Sequence, residues 1–380
     1  MYILGIETSC DDTAAAVVEV RGGSAKPSRG FGEPKFSVLA NTSYSQIAIH
    51  KKFGGVVPNL ASRAHLKKII PTIKEALRVA KTKPNKIDLI AVTRGPGLMP
   101  SLLIGVNTAR ALAYRFHKPI IGVNHIEGHI YSNWLTAQDS SRNLVRRKKR
   151  INFPALILIV SGGHTELVLM KGHGKYQIIG QTLDDAAGEA FDKTARLLGL
   201  GFPGGPAIAA SAAKFSIFNF SPYGRSPVGR QFSINLPRPM INSKDYNFSF
   251  SGLKTAVLYL YNNLVKKSAS RRTKEKIVPM MADEVQNAIV DVLTVKTVKA
   301  VKNLNPKTVM IAGGVSANKA LREKMAREFE SYKIPFFTPD ISYATDNAAM
   351  IAIAGYFNYL KKKPGMNSWK KIETDANLKL

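Results

Sequence analysis

The chain has 380 residues, 45% hydrophobic and 21% charged, a balance that excludes a disordered polymer and leaves room for two domains with separate cores. Its 55 Lys and Arg against 26 Asp and Glu give a formal charge of +29, which points to a polyanionic partner. The single cysteine, Cys10, excludes an intramolecular disulfide, and the longest apolar runs (155–160 and 348–357) fall short of the roughly 20 residues of a membrane span, so no membrane partner is expected.

Residues 3–20, ILGIETSCDDTAAAVVEV, read as an apolar strand, a turn rich in hydroxyls and carboxylates, and a second apolar strand. A strand that begins at Ile3 leaves no space for a targeting segment, so a cytoplasmic protein is expected. Residues 21–37 are rich in Gly, Pro and Ser and suit an exposed loop. Leu66, Ile69, Ile70, Ile73, Leu77 and Ala80 recur at helical spacing, with Pro71 as a kink, and IDLIAV at 87–92 reads as a buried strand. RGPGLMPS at 94–101 breaks structure before a helix carrying Leu103, Val106, Ala109, Ala113 and Phe116, and PIIGV at 119–123 is the next strand. This alternation predicts α/β lobes. Residues 136–150 are polar and basic without apolar period and are expected to form a mobile insertion.

Residues 156–170, LILIVSGGHTELVLM, repeat the opening plan, so the chain reads as two related lobes. The expected division is a first lobe at 1–133, a basic insertion or linker at 134–152, a second lobe at 153–345, and a closing helix at 346–380 that packs back between the lobes and ends in a frayed basic tail. Inside the second lobe the pattern predicts helices at 186–198, 252–266 and 280–302, then a strand and the glycine turn IAGGVSAN at 311–318. Turns of small or hydroxyl residues (Thr8 and Ser9; Ser161, Gly162 and Gly163; 311–318) let backbone N–H groups approach phosphate oxygens, and two facing copies would hold a nucleotide.

His125 and His129 stand four apart in NHIEGHIYSNW, which puts both imidazoles on one helical face, a metal-ligand spacing. Asp346 in YATDNAAM is the best third ligand, and two His plus one carboxylate suit Fe(II), with Zn(II) as the alternative. Glu127 lies two residues after His125, not one, so the general base of an H-E-x-x-H protease is missing. Asp185, Glu189 and Asp192 form an acidic stripe in which Asp192 is a candidate for ribose hydroxyls, and Gly205 permits close backbone approach.

The motifs GIETSCDDT, GGVVPNLASRAH, RGPGLMPSLLIG, NHIEGH, VSGGHTEL, GEAFDKTARLLGLGFPGGP, FSFSGLKT, IAGGVSAN and YATDNAAMIA occur in one order. In these the chain closely resembles the TsaD family of tRNA threonylcarbamoyladenosine synthases. The resemblance implies a two-lobed α/β fold of the actin, Hsp70 and sugar-kinase (ribonuclease H-like) class. It also implies transfer of a threonylcarbamoyl group from threonylcarbamoyl-AMP to N6 of adenosine 37 in tRNAs reading ANN codons. Carried over, the family's iron ligands, one Fe(II) per chain, fall on His125, His129 and Asp346, and its adenylate-binding positions on Ile159, Val160, Ser161, Gly162, Gly163, Asp192, Gly205 and Asn318. Ile159 stands where archaeal and eukaryotic relatives have a tyrosine, which points to the bacterial branch. The chain departs from the family at Asp11-Asp12, where Asp-Glu is usual, and at Asn59, where Glu is usual. TsaB-like and TsaE-like helpers and a TsaC-like supplier of the adenylate are implied partners.

Asp11 or Asp12 is the candidate general base, with geometry to decide. The basic runs at 142–150 and 266–276 are expected to contact tRNA phosphates, and a third basic cluster stands at 361–363. The alternatives are a sugar-kinase-like or chaperone-like ATPase, a noncatalytic nucleic-acid-binding ATPase and, behind them, a metallopeptidase.

Overall fold

The computed structural model describes residues 1–22, 34–135, 150–219, 234–267 and 271–380. The insertion at 136–149, the loop at 23–33 and most basic side chains of the 266–276 run lie outside the described residues. The chain forms two compact units, the first made of Met1–Arg150, Met170–Tyr176 and Thr338–Leu380, the second of Ile151–Leu169 and Gln177–Phe337.

In the first unit the elements run β1 (Tyr2–Glu7), β2 (Asp12–Arg21), β3 (Lys35–Ser45), α1 (Ile47–His50), α2 (Pro58–Val79), β4 (Leu89–Gly95), α3 (Met99–Phe116), β5 (Ile120–Asn124) and α4 (His125–Tyr131). The strands lie in the order β3-β2-β1-β4-β5, with β2 antiparallel to β1 and β3, and β4 parallel to β1 and β5. Ala14 to Val18 are buried without alternation, the signature of a strand covered on both faces.

The second unit holds β6 (Ala155–Val160), most of β7 (Thr165–Gly172) and of β8 (Lys175–Gln181), whose adjoining ends at Met170–Tyr176 fall in the first unit, then α5 (Ala187–Leu197), α6 (Gly204–Asn219), α7 (Ser251–Lys267), α8 (Arg271–Leu304), β9 (Thr308–Ala312), α9 (Lys319–Ser331) and β10 (Phe336–Phe337). Its sheet order is β10-β9-β6-β7-β8, with β9 parallel to β6 and β10. In both sheets the first strand is central, the next two build out on one side and the last two on the other. The repeated hairpin in the sequence is thus the start of a five-strand plan used twice. This is the two-lobed α/β fold expected from the motifs.

The last helix, α10 (Ala348–Lys361), packs on β1, β2, β4 and β5 and on α4, all in the first unit. The expected boundaries change accordingly: the chain rejoins the first unit at Thr338 and not at 346, and the closing helix is a layer of that unit. Its residues from Ala348 to Phe357 are buried all round because a sheet covers one side and α4 another. The tail does not fray. Asp375 N–H donates to Arg94 O (2.8 Å), Gly97 N–H to Ala376 O (3.1 Å), and Asn124 Nδ2 to Lys379 O (3.1 Å).

On α2, Ile69, Ile73 and Ala76 face the core, while Leu66 (68%) and Ile70 (44%) stay exposed, so the apolar stripe is wider than the buried one. Leu103 on α3 is exposed as well.

The approach of α10 depends on Gly5 in β1. A Cβ there would lie 2.1 Å from Ala348 O and 3.1 Å from Ala352 N, backbone atoms that cannot yield without moving the helix. Gly5→Ala is expected to lower stability by about 1–3 kcal/mol. Gly172→Ala, whose Cβ would meet nothing nearer than 4.0 Å, is expected to change it by less than about 0.5 kcal/mol. Equal urea midpoints for the two variants would contradict this packing.

Candidate functional site

The end of β5 runs directly into α4, and Asn124 caps the junction: its Oδ1 accepts from Ile126 N (2.8 Å) and Glu127 N (3.3 Å). That fixes His125 in the first turn and stacks His129 one turn on, with ring centroids 4.7 Å apart. Asp346 is held by the residue after it, because Asn347 caps α10 through Met350 N (2.9 Å) and donates to Tyr343 O and Thr345 O. Asp346 Oδ1 lies 3.1 Å from His129 Nε2 and 3.5 Å from His125 Nε2. One ligand atom from each of the three residues falls within 4.8 Å of the others. All three belong to the first unit.

The donor set fits a divalent first-row metal ion. Among the described residues neither buried ring nitrogen of His129 has a hydrogen bond of good geometry, although Nε2 is so close to Asp346. Proximity without hydrogen-bond alignment is what two ligands show when both point at a third atom. An orphaned buried nitrogen is costly unless something takes its lone pair.

Glu7, at the end of β1, is fully buried; its Oε2 lies 3.0 Å from His125 Nδ1 and accepts from Thr93 Oγ1 (2.6 Å), and its Oε1 accepts from Ser9 N. The sequence reading missed this residue, whose signal was a carboxylate closing an otherwise apolar strand. Burial opposes the charge on His125, but Glu7 and Asp346 outweigh it and push its pKa up to about 9. Burial likewise acts against the Asp346 carboxylate, and the two histidines overcome it and hold its pKa below the usual range.

Asp11 and Asp12 follow in the β1–β2 turn. Burial first, then the charge of Asp346, raises both, and Asp12, with Asp11 beside it as well, is pushed up to about 7. Asp12 Oδ1 is buried with no hydrogen-bond partner among the described residues. The turn is braced by His65, also missed in the sequence: Nε2 lies 3.0 Å from Cys10 O and Nδ1 2.8 Å from Thr13 Oγ1. A carbonyl only accepts, so Nε2 carries the proton and Nδ1 accepts from the threonine hydroxyl.

Glu127 points away from the triad. Its Oε1 accepts from Tyr176 OH (2.8 Å) and its Oε2 from Asn358 Nδ2 (2.7 Å), so it ties α4 to the start of β8 and to α10. Beside it, His173 stacks on Phe357 (centroids 4.0 Å) and Phe357 on Tyr131 (4.6 Å). Burial, aided by the Lys361 ammonium, lowers the His173 pKa from 6.5 to about 4. The folded state therefore binds this proton less well than the unfolded chain. The stacking contribution is complete above about pH 6.5 and is lost as pH falls towards about 4. His173→Phe is expected to lose less thermal stability than the parent between about pH 7 and about pH 5; parallel curves for the two proteins would contradict the stack's role.

In the second unit, Ile159 and Val160 are wholly buried in β6, so they can offer a ligand only backbone atoms. Ser161 closes a tight turn: its N–H donates to His164 O (2.8 Å) and its Oγ accepts from His164 N (3.1 Å). Gly162, Gly163, Gly205 and Gly314 have open space where a Cβ would stand. Gly313 is different. Its φ of +89° and a Cβ position 2.4 Å from Val160 O admit only glycine, which lays the 311–318 turn against the end of β6.

Asp192 and Asn318 already have partners inside the unit. Asp192 Oδ1 accepts from Gly204 N (2.6 Å), clamping α5 to the start of α6. Asn318 caps α9 through Leu321 N (3.0 Å) and donates to Gln286 Oε1 (3.0 Å). The rest of the acidic stripe is paired, Asp185 and Glu189 both meeting Lys193. Asp192→Ala is expected to destabilise the second unit by about 1–3 kcal/mol, the range for unpairing a buried donor. A variant with an unchanged urea midpoint would show that the clamp carries no such weight.

The sequence pattern of the family described as TsaD, tRNA N6-adenosine threonylcarbamoyltransferase, matches residues 37–353. A protein of Thermosipho africanus named tRNA N6-adenosine threonylcarbamoyltransferase is 44% identical over the full length of both chains. One of the same name from Bacillus subtilis is 46% identical over 95% of this chain and 91% of its own. Among solved structures, full-length HypF in its phosphate- and nucleotide-bound form is similar in fold alone, with a TM-score of 0.52 and 10% identity over 97% of this chain and 47% of that one.

Proposed function

The chain belongs to the TsaD family of tRNA N6-adenosine threonylcarbamoyltransferases, and from that premise we propose that it transfers the threonylcarbamoyl group of threonylcarbamoyl-AMP to N6 of adenosine 37 in tRNAs reading ANN codons. The observation that carries the reading is the convergence of His125, His129 and Asp346 on one point. These residues would hold one Fe(II), with Zn(II) as the alternative, and the ion would supply Lewis-acid polarisation of the acyl carbonyl.

In the reaction the adenine N6 attacks the carbonyl carbon, the bond from that carbon to the phosphate oxygen breaks, AMP leaves, and N6 gives up a proton. The leaving group is good and the nucleophile weak, so positioning carries much of the rate. The turn Ser161–Gly163 and the open glycines Gly162, Gly163 and Gly205 support a role in seating the adenylate through backbone N–H groups, with Ile159 and Val160 contributing main-chain atoms only. Asp192 and Asn318, both beside the starts of helices in the second unit, are proposed to contact the nucleoside. Asp12 is the better proton acceptor of the two aspartates, because its pKa near 7 and its unpartnered Oδ1 match a general base at neutral pH.

The tRNA is the polyanion expected from the charge; Arg150, Lys266 and Lys361–Lys363 are exposed basic residues suited to its phosphates. A TsaB-like helper is proposed to use the exposed Leu66, Ile70 and Leu103, with TsaE-like and TsaC-like proteins completing the system in the cytoplasm. No described helix is long and apolar enough to cross a membrane.

The test is mass spectrometry of tRNA nucleosides after incubation with threonylcarbamoyl-AMP and the helpers. His129→Ala and Asp346→Ala are each expected to lose transfer by on the order of 10²-fold or more, together with bound metal. Glu127→Gln should retain metal and most of the transfer. An equal loss at Glu127 with metal intact would return the peptidase reading.

A further inference from the structure

Glu7 has no exposure, and three donors converge on its carboxylate. Ser9 N–H takes Oε1, while Thr93 Oγ1 (2.6 Å) and His125 Nδ1 (3.0 Å) share Oε2. Thr93 comes from β4 and Ser9 from the turn after β1, so the carboxylate is fixed from two sides and cannot swing. A carboxylate accepts, so His125 Nδ1 carries a proton in either charge state of the ring, and Nε2, the atom 3.5 Å from Asp346, is the nitrogen left to meet a metal ion. Ser9 Oγ lies 3.1 Å from the same Nδ1, and a hydroxyl there can accept from the protonated nitrogen as well. Among the described residues His129 Nδ1 has no such brace.

We propose that Glu7 is a positioning residue for the metal ion, holding His125 through Nδ1–H so that Nε2 faces the ion and setting how tightly the ion is bound. Carboxylates behind ligating histidines fix the ring's orientation and raise its basicity. The inference rests on the reading of His125, His129 and Asp346 as the ligands and goes beyond it. It makes the two histidines unequal, His125 preorganised by Glu7 and His129 placed only by the helix.

The probe is Zn(II) alone, titrated into the metal-free full-length protein against a competing chelator. Glu7→Gln, which keeps the shape but removes the charge, is expected to weaken Zn(II) by about 10–100-fold. Glu7→Asp, which keeps the charge but shortens the reach, should fall between the two. If His129→Ala abolishes tight Zn(II) binding while Glu7→Gln leaves the Kd unchanged, the role of Glu7 is overturned and the ligand set stands. If His129→Ala leaves the Kd unchanged, the ligand set itself is wrong and the inference falls with it. A second readout needs no variant and so survives a Glu7→Gln protein that does not fold. In 15N-histidine NMR of the Zn(II)-loaded parent, His125 should be bound through Nε2 with a protonated, slowly exchanging Nδ1. Zn(II) on Nδ1, or an unprotonated Nδ1, would overturn the proposal.

Discussion

Two carboxylates, Glu7 and Asp346, and two imidazoles, His125 and His129, are packed together in the first unit, all buried but the half-buried Asp346, and that cluster constrains much of what surrounds it. With neutral imidazoles the set carries two negative charges, and each buried charge costs several kcal/mol unless it is compensated. A bound dication would balance them. The members come from β1, from α4 and from the segment before α10, so the chain must return to its first sheet after leaving it for more than 150 residues. Small residues make that return close enough. A Cβ at Gly5 would meet Ala348 O at 2.1 Å, and one at Gly128 would meet Ile351 Cδ1 at 2.7 Å.

The two sheets repeat one order of strands, yet the turn after the central strand is used differently in each. After β1 the turn is dense with polar side chains, braced by His65 and followed by Asp11 and Asp12. After β6 it is reduced to Ser161 and two glycines with open space above them. One topological position thus carries carboxylates and hydroxyls in one unit and open glycine backbone in the other, which fits the different roles proposed for them. A duplicated fold gives two such positions, and substitution over a few residues is enough to separate their roles.

The parts of this arrangement visible in the sequence were those with local period or spacing. The alternation of strands and helices, the paired hairpins, the i, i+4 histidines and a carboxylate just before an apolar helix all lie within short windows. What escaped depends on partners far along the chain. Glu7 gains its meaning from His125, 118 positions later, and His65 from the carbonyl of Cys10. The tail after α10 has no apolar period because backbone hydrogen bonds to Arg94 and Gly97 hold it, and composition alone suggested fraying. Leu66 and Ile70 fit the helical stripe as well as Ile69 and Ile73, and only the packed structure separates exposed from buried. Asp192 shows a related limit: an acidic stripe drew attention to it, but its bond to Gly204 N could not be read from spacing.

The account stands or falls on where a metal ion sits. Anomalous diffraction from crystals of the metal-loaded protein, collected at the metal edge, tests this directly. A single strong peak is expected at about 2.0–2.2 Å from His125 Nε2, His129 Nε2 and Asp346 Oδ1. A peak elsewhere in the chain with none at these three atoms, in protein that holds its metal in solution, would contradict the account.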